Sequence, residues 1–414
     1  MNKYLKYISI IFCFILIFNT ISFCSINNEY NIPVWKDDNV SCSLEVDNNM
    51  ISLESKAGIL MEASTGKIIF EHNSNEQLRP ASVTKIMTIL LIMEAIDNGR
   101  IHLDDKVSCS ENARNMGGSQ IWLDETEELT VDEMLKAICV VSANDCCVAM
   151  AEFISGSTDE FVRLMNEKAK QLGMNNTTFK NCHGLDEDGH LTTAQDIALM
   201  SRELMNNHPD ITKYTTIWMD SLRGGKSELV NTNKLIRSYE GITGLKTGST
   251  SLALFNVSAT ATRNNLSLIS VVMGGPTSQI RFNEAKRLLD IGFANYSSQT
   301  LCKKDEIVQT INVNKGKVNK IDVVYSKDVN ALLKKGEDKN IESNIILHDT
   351  INAPVNKGDK VGEVVYTLNN AEIGRTDIVT YYNVEKIGVA DMLSSIISYT
   401  FKLGRGGYSI NIDV

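Results

Sequence analysis

The amino-acid sequence predicts an α+β protein: one antiparallel sheet flanked by helices, followed by a small all-β domain. Three observations point there. Strand-like segments at both ends of residues 56–297 enclose a run of helical patterns, which fits a sheet with helices packed on it. After about Ser298 the texture changes to short alternating runs separated by turn residues. At 414 residues, 43% hydrophobic and 22% charged, the chain has ordinary globular composition and room for two domains.

In chain order, Lys3 and Lys6 precede an apolar run from Ile8 to Phe18 that is too short to span a membrane. This order predicts an export signal peptide over residues 1–24. A polar, Asn-rich leader is expected over 25–55. Ala57 to Glu62 and Lys67 to Glu71 read as strands around a Ser64-Thr65-Gly66 turn. Pro80 to Asn98 reads as one helix, apolar nearly all round and ended by Gly99. Helical patterns follow at Val131 to Val141, Cys147 to Ile154, Asp159 to Leu172 and Thr193 to Asn206. Ala253 to Ala261 and Leu266 to Met273 read as paired strands turning at Asn264-Asn265, and Glu284 to Phe293 closes this domain as a helix. The β-rich domain is expected over 298–386, with strands at Ile307 to Val313, Lys320 to Tyr325, Ile341 to Leu347 and Val361 to Leu368. In the tail, 387–414, Val389 to Leu403 has an amphipathic helical pattern. It fits either a helix packed on the β domain or one lying in a membrane interface.

The net charge of −10, with no cluster of Lys and Arg, argues against nucleic acid as a partner. Of nine cysteines, Cys13 and Cys24 fall in the signal region and an odd number remains, with no C-x-x-C pair. That argues against a disulfide framework or a zinc site. Cys139, in an apolar helical stretch, reads as a small core residue.

Three short motifs carry chemistry: Ser82-Val83-Thr84-Lys85, Ser142-Ala143-Asn144 and Lys246-Thr247-Gly248. Singly they are weak: Ser-x-x-Lys recurs at Ser64 to Lys67, and Ser-x-Asn also starts at Ser25, Ser110 and Ser409. Context separates them. Ser82 and Lys85 fall three apart at a helix start, so hydroxyl and amine share a face, whereas Ser64 and Lys67 fall in a strand–turn–strand stretch. The helix terminus favours developing negative charge, and the apolar neighbours Ile86, Met87 and Ile89 would make Lys85 a usable base. Ser142 and Asn144 follow the apolar run Leu135 to Val141. Here Ser142 could relay a proton to a leaving amine, and Asn144 could accept from Lys85 and hold a substrate amide. Lys246 offers positive charge to a carboxylate, and Gly248 permits close approach of substrate backbone. Backbone N–H groups of Ser82 and Ser249 are the candidate oxyanion donors. His183 and His190, in a loop of Gly and Asp, read as structural rather than as ligands or a triad base.

Taken together, these motifs give the chain a resemblance to the low-molecular-mass penicillin-binding proteins of the serine D-alanyl-D-alanine carboxypeptidase family. The likeness extends over Arg79 to Thr88, Asn181 to Asp186, Thr192 to Asp196 and Gly244 to Thr250. It implies that Ser82 is acylated, Lys85 accepts its proton, Ser142 assists, and Lys246 helps bind substrate with Thr247, Gly248 and Ser249. It also implies a penicillin-binding domain fold and matches Arg281 to an arginine that binds the terminal carboxylate. The implied substrate is the peptidoglycan stem peptide, with β-lactams as inhibitors, no metal or organic cofactor, and the tail on the outer face of the cytoplasmic membrane. Ala143 departs from the more usual Gly and Ser249 from a frequent His. A β-lactamase and a non-catalytic penicillin-binding sensor are the alternatives. The first lacks a recognisable deacylating glutamate, and the second lacks a spanning helix and cytoplasmic part.

Overall fold

The computed structural model describes residues 51–337, 340–391, 393, 394 and 397. The expected signal peptide, and most of the expected leader and tail, lie outside these residues.

Five strands build the first sheet: β1 (Ala57–Glu62), β2 (Ile68–His72), β3 (Ile242–Thr250), β4 (Leu254–Arg263) and β5 (Leu266–Gly275), in the order β2-β1-β5-β4-β3. All neighbours are antiparallel. Side chains alternate along these strands, so each strand feeds two cores. Ile59, Met61, Ile269 and Val271 join a large core beneath helices α1 (Lys85–Asp97), α2 (Val131–Val140), α3 (Asn144–Ser155), α4 (Thr158–Gln171) and α5 (Ala194–Asn207). Leu60, Leu268 and Val272 face the other way, onto α6 (Ser278–Asn295). Two small hairpins, Lys106–Ser108 with Glu128–Thr130 and Met219–Leu222 with Ser227–Val230, decorate the helical side. The β4–β5 turn is at Asn264-Asn265 as expected, with φ of 49° and 62°, the left-handed region that Asn tolerates.

Two departures matter. The helix expected from Pro80 begins only at Lys85, because Ala81 has φ +49° and Ala81–Thr84 wind as a 3₁₀ turn. From Lys85 to Met93 every residue of α1 is buried, as its unbroken apolar pattern implies. The leader also ends earlier than expected. Ile51 and Leu53 are buried in the core under α6, and Glu284 of that helix accepts hydrogen bonds from Ser55 Oγ and from the Glu54 N–H. Apolar side chains at alternate positions and one buried carboxylate therefore tie the chain down from Ile51 onward.

The C-terminal part is all β. Strands β6 (Tyr296–Cys302) and β9 (Val329–Lys334) pair with each other. Strands β7 (Ile307–Asn314), β8 (Lys320–Tyr325), β10 (Ile341–Leu347), β11 (Thr350–Asn352), β12 (Lys360–Leu368) and β13 (Ala371–Thr380) form a sheet in the order β10-β12-β13-β8-β7-β11. Leu332 of β9 and Tyr296 of β6 join the core under α6, which fastens this part to the first sheet. The described cysteines, Cys109, Cys139, Cys146, Cys147, Cys182 and Cys302, are free and buried. Of the tail, residues 389–391, 393, 394 and 397 are helical, with Val389, Leu393 and Ile397 exposed. No described helix is long and apolar enough to cross a membrane.

Candidate active site

The three motifs converge where the 3₁₀ turn, the α2–α3 connection and strand β3 meet. Residues i and i+3 eclipse in a 3₁₀ turn, so the pairing expected of a helix survives in a different local structure. Lys85 Nζ donates to Ser82 Oγ at 3.0 Å. Its other partners are both carbonyl oxygens: Asn144 Oδ1 at 2.6 Å and the backbone oxygen of His183 at 2.6 Å. Lys85 is fully buried while Ser82 is partly exposed. Burial pulls the proton affinity of Lys85 below that of a free lysine, opposed by the nearby Cys147, Cys182 and Asp145. A neutral amine has two N–H bonds and one lone pair. Once Lys85 is neutral, the two carbonyls take its N–H bonds, the bond to Ser82 reverses, and the lone pair accepts from the Ser82 hydroxyl.

Asn144 is the first residue of α3 rather than part of a loop. Its Nδ2 donates to the Gly117 carbonyl at 2.7 Å, which fixes Oδ1 toward Lys85. Ser142, in the short connection before it, has φ +65° and is buried, and its Oγ has no hydrogen-bond partner among the described residues.

Lys246, Thr247 and Gly248 lie within β3 itself. β3 is an edge of the sheet, so one row of its backbone groups is open to pair with an extended peptide. Gly248 packs directly on the Ser82 turn: a Cβ there would meet the Ser82 nitrogen at 2.7 Å and the Val83 nitrogen at 2.8 Å. Ser249, next along, is exposed. Thr247 Oγ1 donates to Thr232 Oγ1 at 2.8 Å. Lys246 is buried, donates to the Thr247 carbonyl at 3.0 Å, and has its pKa drawn down to about 7 by burial and by Lys85.

Arg281 is in the first turns of α6 and reaches back beneath β3. It donates to the carbonyls of Gly248 and Asn256, both at 3.0 Å, and to Ser278 Oγ at 3.3 Å, while its Nε has no partner among the described residues. Burial lowers its pKa to about 10, so it stays charged at neutral pH.

Several positioning groups escaped the sequence reading. Asn256, fully buried in β4, donates to the Arg79 carbonyl at 2.9 Å and the Pro80 carbonyl at 3.0 Å, and accepts from the Gly274 N–H at 2.8 Å. An Asn inside an apolar strand is disfavoured, and that was the available signal. Gly184 has φ +90°, and a Cβ on it would lie 1.9 Å from the Ala81 carbonyl oxygen. His190 is structural, as expected. Its Nδ1 accepts from the Lys180 N–H at 3.0 Å, so Nε2 carries the proton and donates to Thr84 Oγ1 at 2.8 Å. Burial holds His190 near pKa 4 and His183 near 3, so both are neutral at physiological pH.

Comparison with known proteins places this geometry in context. A family model described as D-alanyl-D-alanine carboxypeptidase matches residues 44–277. One described as the C-terminal domain of penicillin-binding protein 5 matches 296–386. The D-alanyl-D-alanine carboxypeptidase DacF of Bacillus subtilis is 44% identical over 344 residues, 82% of this chain and 88% of its own length. Among solved structures, penicillin-binding protein 5 of Haemophilus influenzae superposes with a TM-score of 0.71 at 32% identity, over 81% of this chain and 99% of its own. Penicillin-binding protein D2 of Listeria monocytogenes in its ampicillin-bound form has a TM-score of 0.54 at 30% identity, over 59% of this chain and 98% of its own. The α+β domain and the β domain that follows it are thus those of known penicillin-binding proteins, and the chain belongs to the D-alanyl-D-alanine carboxypeptidase family, the low-molecular-mass serine peptidases among them.

Proposed function

We propose that this chain hydrolyses the terminal D-Ala-D-Ala bond of the peptidoglycan stem peptide through an ester on Ser82. The observation that carries the reading is the buried Lys85 amine 3.0 Å from Ser82 Oγ, its N–H bonds occupied by two carbonyls. Ser82 Oγ attacks the carbonyl carbon of the penultimate D-alanine while its proton passes to Lys85 Nζ. The developing oxyanion is received by the backbone N–H groups of Ser82 and Ser249. As the C–N bond breaks, the Ser142 hydroxyl gives its proton to the departing D-alanine nitrogen and is reprotonated by Lys85. Water then attacks the ester, Lys85 takes a proton from it, and the Ser82 hydroxyl is restored as the shortened peptide leaves as a carboxylic acid.

Asn144 holds Lys85 and the substrate amide, and Thr247, Gly248 and Ser249 align the peptide along β3. Lys246 and Arg281 supply positive charge for the terminal carboxylate. A β-lactam enters the same site and leaves an ester on Ser82. The match of residues 296–386 to a penicillin-binding protein domain, and relatives named as carboxypeptidases, favour this reading over a β-lactamase or a sensor. We place the enzyme outside the cytoplasm, with the Val389 to Leu403 segment resting on the outer face of the membrane. The direct test is release of D-alanine from diacetyl-Lys-D-Ala-D-Ala. Wild-type protein should release it and Ser82→Ala should not, whereas release by the variant would refute the assignment.

A further inference from the structure

Segment 117–123 carries a side chain that this reaction does not use. Trp122 is 74% exposed, and its φ is +55°, a conformation bulky residues rarely adopt. Several polar groups hold the backbone there. One carboxylate oxygen of the buried Asp145 accepts the Ile121 N–H at 3.0 Å and the Leu123 N–H at 3.2 Å. Arg223 donates to the Ile121 carbonyl at 2.9 Å and to the Trp122 carbonyl at 3.4 Å, and is itself clamped by Glu127. With its amide oriented to donate to the Met116 carbonyl, Gln120 accepts from the indole N–H at 3.3 Å. The buried Asp145 and the partly buried Arg223–Glu127 pair thus keep a strained residue in place and leave a large aromatic ring in water. Strain of this kind, over-determined by its surroundings, concentrates at sites of use.

The location fits a use in substrate binding. Asp145 directly follows Asn144, whose Oδ1 lies 2.6 Å from Lys85 Nζ, and Asn144 is also bonded to the Gly117 and Ser119 carbonyls of the same segment. Trp122 therefore belongs to the segment that braces Asn144. Arg281, at the carboxylate end, contacts Gly248, Asn256 and Ser278 and nothing in this segment. The rest of the peptide leaves on the side away from Arg281. Just after Trp122 in the chain, Glu125 and Glu127 are paired with Arg114 and Arg223, while the exposed Asp124 makes no ion pair among the described residues and feels Arg114 only at longer range. Hydrogen bonds from Thr126 hold the Asp124 carboxyl below the usual range, so it is ionised. An exposed indole with an ionised carboxylate two residues on suits a cation carried on an apolar stem.

We infer that Trp122, with Asp124 beside it, receives the side-chain ammonium of the diamino acid that precedes the D-Ala-D-Ala pair, which makes Trp122 a specificity-determining residue. The inference rests on the carboxypeptidase reading above. Two peptides test it: Nα-acetyl-Lys-D-Ala-D-Ala, with a free side-chain amine, and its Nα,Nε-diacetyl counterpart. Wild-type protein should prefer the free amine by roughly 3- to 10-fold in kcat/KM, mainly through KM. Trp122→Leu keeps apolar bulk without the ring and should bring that ratio to about one, while Trp122→Phe should retain most of the preference. β-Lactam acylation of each variant reports that it is folded. Equal turnover of the two peptides by the wild type, or an undiminished ratio in folded Trp122→Leu, would overturn the contact and leave the carboxypeptidase reading standing. Cleavage of neither peptide, with no ester on Ser82, would overturn that reading and this inference with it.

Discussion

At the scale of single residues, the proposed mechanism turns on where protons reside on two buried lysines. Lys85 acts as a base only when neutral, and burial moves it that way. The role proposed for Lys246, attracting a carboxylate, needs its charged form, and its pKa is drawn down to about 7. The signs follow. Loss of the Lys85 proton should favour acylation by a free-acid peptide as pH rises, and loss of the Lys246 proton near 7 should oppose it. Lys246→Arg keeps a charge at all accessible pH and should extend the alkaline side of the kcat/KM profile. An unmoved alkaline limb in that variant would remove Lys246 from the account. Lys85→Arg, which cannot surrender a proton readily, should lose most acylation while remaining folded. Arg281 braces the carbonyls of Gly248 and Asn256 in addition to the carboxylate-binding role proposed for it. Arg281→Lys should therefore penalise a free-acid peptide more than its C-terminal amide, and equal losses would leave only the bracing role.

At the scale of elements, the site depends on how closely β3 and β4 press on the 3₁₀ turn. Gly248→Ala would drive a methyl into the Ser82 and Val83 backbone nitrogens. A displacement of about 1 Å at the nucleophile should cost roughly 100-fold in acylation rate. Asn256→Ala removes the staple between β4 and the Ser82 turn: the Arg79 and Pro80 carbonyls lose their side-chain donor and the Gly274 N–H loses its acceptor. That should cost about 1–3 kcal/mol of stability by thermal or chemical unfolding, together with slower acylation, whereas loss of stability alone would make Asn256 merely structural. Much of this scale was legible in sequence. Strand alternation placed β1, β4 and β5, and apolar periodicity found the major helices, because burial on one or two faces leaves a repeating pattern. The 3₁₀ turn was not legible, since helix and 3₁₀ share the same residue preferences at Pro80 to Lys85 and only the left-handed Ala81 separates them. Nor was β13, where Gly374, Arg375 and Asp377 interrupt the apolar alternation on a partly exposed face. The site motifs themselves were visible, whereas their supports, Asn256, Gly184 and the His183 carbonyl, come from elements far apart in sequence.

At the scale of the whole molecule, the first sheet and the β domain share a core through Tyr296 and Leu332. Leu332→Ala should lower stability by about 2–4 kcal/mol, a cost felt by the catalytic part as well as the β domain. The exposed Val389, Leu393 and Ile397 recur every fourth residue along one helical stripe. Truncation before Val389 should abolish liposome flotation without moving the unfolding midpoint, and the reverse result would make the tail a structural helix. The central claim, acyl transfer through Ser82, is tested most directly by rapid quenching of the protein mixed with diacetyl-Lys-D-Ala-D-Ala, followed by peptide mass mapping. The account predicts a transient ester on Ser82 that forms and decays with D-alanine release and is missing in Lys85→Arg. D-alanine release with no ester, or an ester on any other residue, would contradict it.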